Sequence, residues 1–467
     1  MKKILFLLLV QEILLGNPTA TIDNNATAYD KVLKDTYLKM KQIAKKHTVK
    51  KRVALQYIEI NDQKIPFIFE EDKNLPIVSM QLIFKNSGTL SDTKDGLVKL
   101  TALLLNEGTQ KEGSVGFATK LESRAITLGT HAGKETFVME LGSLKEEFHT
   151  AIERMMELLQ NPNYSKETLE KIKTQTIGSI KRKESDFDFI SSLEMKKMLF
   201  PNTPLAKASS GTLESVESIT LDDIKKQITT HMGIENAIVV MGGDINRFEA
   251  ERLAKKVLLL LPHVASKKLA SMKPVGREQV KEKIVKSEQA YVYFGAPLEV
   301  AFDSNESHLS RVASFILGSS GFGSRLMEEI RVKKGLAYSA YSRFNINKTH
   351  SYFSGYLQTK VETGQEAVES VKEVVKTFIE KGVTQEELTS AQQFLLGSEP
   401  LRNETLSQRL NRAFHEFYNE KPLGSANEEL KKIEAIKLDE LNAFIAKHSE
   451  IAQLSFSVVT GEVKKDK

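Results

Sequence analysis

Apolar residues recur at helical and then at strand spacing along the stretch from Leu317 to Arg343. The glycine-rich run Gly318–Gly323 predicts a loop, because glycine weakens both helices and strands. Ser324 is a candidate N-cap for a short helix that follows. The apolar stripe of that helix is Leu326, Met327 and Ile330. The pattern therefore predicts a loop, a short helix and then a strand.

The end of this helix is marked by two lysines followed by Gly335, a typical C-terminal signature. The alternation after it predicts a strand with Leu336, Tyr338 and Ala340 on one face. Arg331 lies in the last turn of the helix, and the chain reversal at Gly335 can bring it beside Tyr338. From the residues alone, a solvated helix end and a half-buried strand tyrosine remain the simpler interpretation.

A phosphate-binding loop is the other candidate for a glycine-rich segment before a helix. The lysine and the Ser/Thr of a P-loop do not follow at the required spacing, which disfavours it. Ser91 and Lys94 formally match the S-x-x-K motif, but they lie in a polar loop. No G-x-S-x-G motif occurs in the sequence.

An internal repeat divides most of the chain into two units. The apolar strand that ends at Gly243 matches one that ends at Gly461, 218 residues later. Four other matches have nearly the same offset, Pro204 with Pro422 among them. The repeat predicts a domain over residues 53–262, a charged linker over 263–282 and a second domain over 283–467. The order of elements in each unit predicts an α+β domain with an antiparallel sheet covered by helices on one face.

The N-terminus has the pattern of a secretory signal peptide over residues 1–20. Two lysines precede the apolar run Ile4–Val10, and Ala20 is a small residue suited to cleavage. Gln11 and Glu12 interrupt the apolar run, and a retained anchor is the less favoured alternative. The expected location is periplasmic or secreted. Residues 21–52 form a predicted helical extension that ends in a basic connector.

Composition narrows the possible functions. Hydrophobic residues make up 40% of the 467 residues and charged residues 27%, as in ordinary globular proteins. A net charge of +5 is small for this length, and no basic run is interleaved with aromatics, so nucleic acid is not an expected partner. The absence of cysteine excludes disulfides, thiolate metal sites and cysteine nucleophiles.

The stretch after the glycine-rich loop resembles the second-domain signature of the pitrilysin, insulysin and mitochondrial processing peptidase family of zinc peptidases. The shared elements are Ser324-Arg325-Leu326, Arg331 and Gly335-Leu336-Ala337-Tyr338-Ser339. Looser similarity runs from about residue 55 to the end. The resemblance implies two homologous domains that form half a clamshell. It also implies that Arg331 and Tyr338 bind substrate and stabilise the transition state opposite the zinc. The substrate-binding loop would include Gly318, Gly321 and Gly323.

The zinc motif of this family, H-x-x-E-H on a helix of the first domain, is degenerate here. Its first histidine falls on Lys99, its glutamate on Ala102 and its second histidine on Leu103. The third ligand, a distal glutamate, falls in the window 177–179, which contains no acid. None of the nine histidines has another histidine four residues away, so a shifted alignment does not restore the site.

The resemblance therefore implies a subunit without its own zinc. We expect it to donate Arg331 and Tyr338 in trans to a zinc-binding paralogue and to bind a peptide substrate, with zinc only in the partner chain. The chain alone is expected to be inactive, and no transmembrane segment is expected once the signal is removed. A non-catalytic scaffold subunit is the alternative, and a self-associating peptide-binding protein is a third possibility.

Overall fold

Two β-sheets organise residues 53–462, the part of the chain that the computed structural model describes. The predicted signal peptide and helical extension lie outside the described residues. The first sheet contains β1 (Ala54–Ile60), β2 (Gln63–Glu71), β3 (Ile77–Lys85), β4 (Thr127–Ala132), β5 (Thr136–Leu144) and β6 (Ala237–Gly243). The second contains β7 (Val280–Ile284), β8 (Gln289–Pro297), β9 (Ala337–Ile346), β10 (Ser351–Lys360) and β11 (Ser455–Thr460).

Helices connect the strands in the same order in both halves. The first half contains α1 (Leu97–Leu105), α2 (Gly113–Glu122), α3 (Phe148–Gln160), α4 (Lys166–Lys183), α5 (Phe187–Leu199), α6 (Leu213–Ser218), α7 (Leu221–His231) and α8 (Arg247–Leu258). The second half contains α9 (Ser307–Ser314), α10 (Arg325–Met327), α11 (Gly364–Lys381), α12 (Gln385–Gly397), α13 (Leu406–Tyr418), α14 (Ser425–Ala435) and α15 (Leu438–Lys447). Residues 259–279, between α8 and β7, form neither helix nor strand.

The strand orders are β1-β2-β6-β3-β5-β4 in the first sheet and β7-β11-β8-β10-β9 in the second. β6 lies between β2 and β3 as β11 lies between β7 and β8, which agrees with the repeat read from the sequence. The α+β class with two homologous domains is confirmed. One pair in each sheet, β2–β6 and β7–β11, is parallel rather than antiparallel. A parallel pair arises because the last strand of each unit returns to the sheet after a long helical crossover.

Each sheet packs its own helices on one face. The core of the first half joins the sheet to α1, α2, α3 and α8. The core of the second half joins its sheet to α9 through α12, α14 and α15. This is the helical layer that the sequence predicts.

The opposite face of each sheet is covered by a helix from the other half, which the sequence analysis did not predict. Leu410, Ala413 and Phe414 of α13 pack on the first sheet, in one apolar cluster with residues of β2, β3, β5 and β6. In return, α5 packs on β8 and β11 of the second sheet. On α5, Ser191 donates a hydrogen bond of 2.7 Å to the carbonyl oxygen of Ser457 on β11.

The expectation of helices on one face only is therefore wrong. The physical reason is visible in the central strands. Every residue of β6 and of β11 is buried, so both faces of these strands need an apolar cover. The exchange of α5 and α13 provides that cover and interlocks the two halves. Among residues 53–462, none of the helices is long and apolar enough to cross a membrane.

Candidate functional site

The loop of the candidate site connects two π-helical turns. α9 continues into a π-helical turn over Phe315–Ser319, and α10 continues into another over Glu328–Lys333. Such turns are rare and occur frequently at functional sites. Ser324 caps α10, with its hydroxyl 3.4 Å from the Met327 amide nitrogen, as predicted. The predicted loop over Gly318–Gly323 is shorter, because its first two residues belong to the first π-helical turn.

The three glycines assigned to a substrate-binding loop differ in their surroundings. Gly318 is buried, and a Cβ there would stand 2.7 Å from the backbone nitrogen of Ser342 on β9. Gly321 and Gly323 have φ values of +73° and +84°, and no atom lies within 4 Å of a Cβ placed on either. Gly318 therefore allows the chain to pack closely against β9. Gly321 and Gly323 instead adopt a backbone conformation that residues with a side chain disfavour.

A β-bulge brings Tyr338 to the surface. Ala337 pairs with Thr359 and Ala340 with Leu357, so two residues of β9, Tyr338 and Ser339, face one residue of β10. Tyr338 is consequently 82% exposed, although Leu336 and Ala340 are buried. The prediction that these three residues share one face is wrong, because the extra residue interrupts the two-residue alternation.

Arg331 lies between two aromatic rings. Its guanidinium carbon is 4.6 Å from the ring centre of Tyr338 and 4.6 Å from that of Phe322. The chain reversal at Gly335, where φ is +63°, brings Arg331 and Tyr338 together as the sequence suggested. Phe322 was missed by sequence reasoning. The available signal was a single large apolar residue in a loop otherwise made of glycine and serine, and its side chain is 69% exposed.

The charge of Arg331 is not neutralised by a neighbouring acid. Within residues 53–462 its guanidinium has neither an ion pair nor a side-chain hydrogen bond, only the two stacked rings. Arg325 provides the contrast, since its guanidinium binds both carboxylate oxygens of Glu387 at 2.6 and 2.7 Å. Stacking occupies the faces of a guanidinium and leaves its in-plane N–H groups available. Arg331 and the Tyr338 hydroxyl can therefore both donate to an oxygen of a ligand.

The degenerate zinc positions lie on α1, in the other half of the chain. Ala102 is buried in the core of the first sheet, and Lys99 is half-buried. Leu103 of α1 and Ile177 of α4 pack against the same apolar cluster. The position of the second histidine and one residue of the window for the distal glutamate thus pack on the same cluster, but both side chains are apolar.

These residues do not fit a zinc ion. Burial, together with the nearby Lys183 ammonium, lowers the pKa of Lys99, and a cation at a ligand position repels a metal. The part of the chain covered by the structure holds no group of three or more His, Cys, Asp or Glu side chains arranged to bind a metal.

Hydrogen bonds hold both ends of α1, the helix that carries the degenerate positions. Asp92 accepts a 2.7 Å hydrogen bond from the Val98 amide at the start of α1. Asn106, after the end of α1, exchanges hydrogen bonds with both backbone groups of Thr130 on β4. Lys94 forms an ion pair of 2.6 Å with Asp223, which removes it from any S-x-x-K chemistry.

Comparisons with known proteins decide the family. A family model described as "Peptidase M16 inactive domain" matches residues 218–395. A curated relative from Helicobacter pylori, named non-peptidase homolog YmxG, is 45% identical over 415 residues, which is 89% of this chain and 96% of the relative. The chain belongs to the M16 peptidase family. This is the family that the motif around Arg331 and Tyr338 indicated.

Other M16 relatives are more distant. An uncharacterized zinc protease of Streptomyces coelicolor is 24% identical over 319 residues, which is 66% of this chain and 68% of the relative. Among solved structures, a peptidase M16 inactive domain from Pseudomonas fluorescens superimposes with a TM-score of 0.80 at 25% identity, covering 89% of this chain and all of that one. A protease from Helicobacter pylori shares the fold, with a TM-score of 0.75 and 15% identity over 87% of this chain and 99% of that one.

The lost ligand positions and these comparisons agree. This M16 chain is a peptidase-like protein that resembles the inactive members of its family, and among residues 53–462 no group of side chains is arranged to hold a zinc ion.

Proposed function

We propose that this M16 chain is the substrate-binding subunit of a two-chain zinc peptidase. In this proposal a zinc-binding partner of the same family supplies the metal and the general base. This chain supplies Arg331 and Tyr338 across a shared peptide chamber. The observation that carries the proposal is the surface position of an arginine with no acidic partner among residues 53–462, stacked against an exposed tyrosine.

The chemistry of peptide hydrolysis explains why such a pair is useful. Attack on the peptide carbonyl develops negative charge on its oxygen, and donors placed beforehand stabilise that charge. Arg331 would supply a permanent positive charge with directed N–H groups, and Tyr338 would supply one hydroxyl hydrogen bond. Phe322 would act as a positioning residue, because its ring limits the orientations that the Arg331 side chain can adopt.

Energy considerations also favour a role in binding over a role in folding. A folded chain gains little from a half-buried arginine without an acidic neighbour, since its charge is partly removed from water and no ion pair compensates for that. The exposed Tyr338 next to it leaves most of its ring in water, so it contributes little burial energy to the fold. The bulge at Tyr338 maintains that exposure against the normal strand alternation, and bulges frequently occur next to active sites.

The test requires the mixed complex. A zinc-binding paralogue from the same organism is co-expressed with this chain, and cleavage of a fluorogenic peptide library is measured on the purified complex. Arg331→Ala and Tyr338→Phe should each lower turnover by about 100-fold to 1,000-fold, the usual effect of losing one such donor. Phe322→Ala should lower turnover less than these two variants do. Turnover of Arg331→Lys should stay as low as that of Arg331→Ala, since lysine cannot present a directed pair of donors.

Lys333→Ala is the matched control, because it removes an exposed cation from the same π-helical turn. It should leave turnover unchanged. Size-exclusion chromatography and metal analysis show whether each variant assembles and whether zinc remains in the partner only. Normal assembly together with wild-type turnover of Arg331→Ala and Tyr338→Phe contradicts the proposed donation and favours a structural scaffold subunit.

Secretion is a further part of this proposal. Fractionation of the cells and N-terminal sequencing of the native protein test it: an N-terminus still at Met1 in the cytoplasmic fraction would contradict export with signal removal.

A further inference from the structure

A cavity of about 720 Å³ lies where several separate segments of the chain meet. Four of these segments are the end of β3, the stretch before β7, the β9–β10 turn and the residues that follow α13. Each contributes one lysine to the lining: Lys85, Lys268, Lys348 and Lys421. We call this site the lysine cavity. No part of it belongs to the candidate site around Arg331.

The positive charge of the lysine cavity is largely uncompensated. Glu420 is the one acid in its lining, and it forms an ion pair with Lys348. Among residues 53–462, the ammonium groups of Lys85, Lys268 and Lys421 have no ion pair and no hydrogen bond. With four lysines and one glutamate (4 − 1), the lining carries a formal net charge of +3.

The carboxylate of Glu135 binds two residues of the cavity lining. Glu135 accepts hydrogen bonds from Thr349, whose amide nitrogen lies 3.1 Å away, and from the Tyr418 hydroxyl at 2.9 Å. It holds the wall of the cavity in place and does not reach the three lysines through any ion pair within 4.0 Å. The surplus charge is a property of the cavity itself.

The lysines also repel each other. Burial, with added repulsion from Lys348 and Lys268, lowers the pKa of Lys85. Lys348 is fixed in place, with its ammonium 5.6 Å from the ring centre of Phe302 and 5.4 Å from that of Tyr418. A multiply charged anion would relieve the repulsion at a preformed position.

We propose that the lysine cavity binds a phosphate-bearing anion with two or more negative charges, and that the bound anion ties the four segments together. Phosphate suits the site because lysine binds it as a point charge, and because it carries about −1.5 to −2 charges at neutral pH where a carboxylate carries one. The volume lies within the range of small-molecule sites, so a diphosphate group fits.

The phosphate can belong to a soluble compound or to a lipid headgroup, and the experiment distinguishes them. Pyrophosphate and inorganic phosphate are titrated into the full-length protein at constant ionic strength, with isothermal calorimetry and thermal unfolding as readouts. Citrate serves as a carboxylate of similar charge. Flotation with vesicles of phosphatidylcholine containing phosphatidic acid, whose headgroup is a phosphate monoester, against phosphatidylcholine alone, tests a lipid source.

Pyrophosphate should bind the parent protein and raise its Tm. The double variant Lys85→Met/Lys421→Met should bind pyrophosphate at least tenfold more weakly and show no rise in Tm. Lys268→Ser gives a milder independent variant, because Lys268 is exposed. The matched control is Lys283→Met/Lys376→Met, which removes the same charge at exposed positions elsewhere. Vesicle binding that depends on the same lysines supports the site with a headgroup as its ligand. Equal binding of citrate, equal binding by the double variant, or no binding of any phosphate compound overturns the proposal.

Discussion

Arg409 of α13 donates hydrogen bonds of 3.0 Å to both carboxylate oxygens of Glu70 on β2, although the two residues lie 339 positions apart. The Glu70 side chain is fully buried, and a second acid, Asp72, lies 2.7 Å from the same guanidinium. This contact fastens a helix of the second half to the sheet of the first. It adds a buried ion pair to the apolar packing of α13 on the first sheet.

Removing the guanidinium should destabilise the whole chain. In Arg409→Met the buried Glu70 carboxylate would lose its partner, and breaking a buried pair in this way typically costs about 3–5 kcal/mol. Denaturant unfolding should show that loss. Arg402→Met, a change of the same kind at a nearby exposed position, should stay within about 0.5 kcal/mol of the parent. Equal stabilities for the two variants would contradict the role assigned to Arg409.

A chain cut between its two halves should remain one particle. A protease site inserted after the exposed Arg277 would allow cleavage between α8 and β7 without touching either sheet. Because α5 and α13 each cover the other half's sheet, both fragments should co-elute in size-exclusion chromatography until denaturant is added. Each fragment produced alone should lack cooperative unfolding, because it lacks one covering helix. Separation of the fragments in native buffer would show that the exchange is not needed for association.

Gly318→Ala should destabilise the chain although it adds only one methyl group. The new Cβ would lie too close to the Ser342 backbone, and overpacking of this kind costs typically about 1–3 kcal/mol. Gly397→Ala is the control, since this last residue of α12 has open space around it. That change should be neutral or stabilise by up to about 1 kcal/mol. Thermal unfolding of both variants compares them directly.

The chain should lose stability at mildly acidic pH through His350. Burial, with repulsion from Lys134 and Lys196, lowers the pKa of this 4% exposed histidine to about 4. Between about pH 6.5 and about pH 4, the unfolded chain therefore binds more protons at this residue than the folded chain does. Stability from the neutral histidine is present above that window and is lost as pH falls through it, by up to about 3 kcal/mol.

His350→Phe should reduce that pH dependence, because the ring can keep its contacts with Phe200 and Tyr352 without a titrating group. Unfolding free energies at pH 7 and pH 4.5 measure the change. His131→Asn, at an exposed strand position, should leave the slope as it is in the parent. A slope unchanged in His350→Phe would assign the acid sensitivity to other groups.

Local features were readable from the sequence because neighbouring residues determine them. The Ser324 cap, the glycine turn at Gly335 and the positions of β6 and β11 depend on spacings of a few residues. The loss of the zinc ligands at Lys99, Ala102 and Leu103 was equally visible, since the family motif is itself a local pattern. The family and the fold class followed from these features, and both are confirmed.

The tertiary structure decided what depends on distant contacts. The exposure of Tyr338 results from a bulge in its pairing with β10, and the stacking of Phe322 on Arg331 results from the folded path of a loop. The exchange of α5 and α13, the Arg409–Glu70 contact and the four lysines around one cavity join segments far apart in the chain. Sequence periodicity records which face of an element is apolar, but it does not record which distant element covers that face. The packing of the whole chain decides which element covers which face, because burying apolar surface is favourable wherever two complementary surfaces meet.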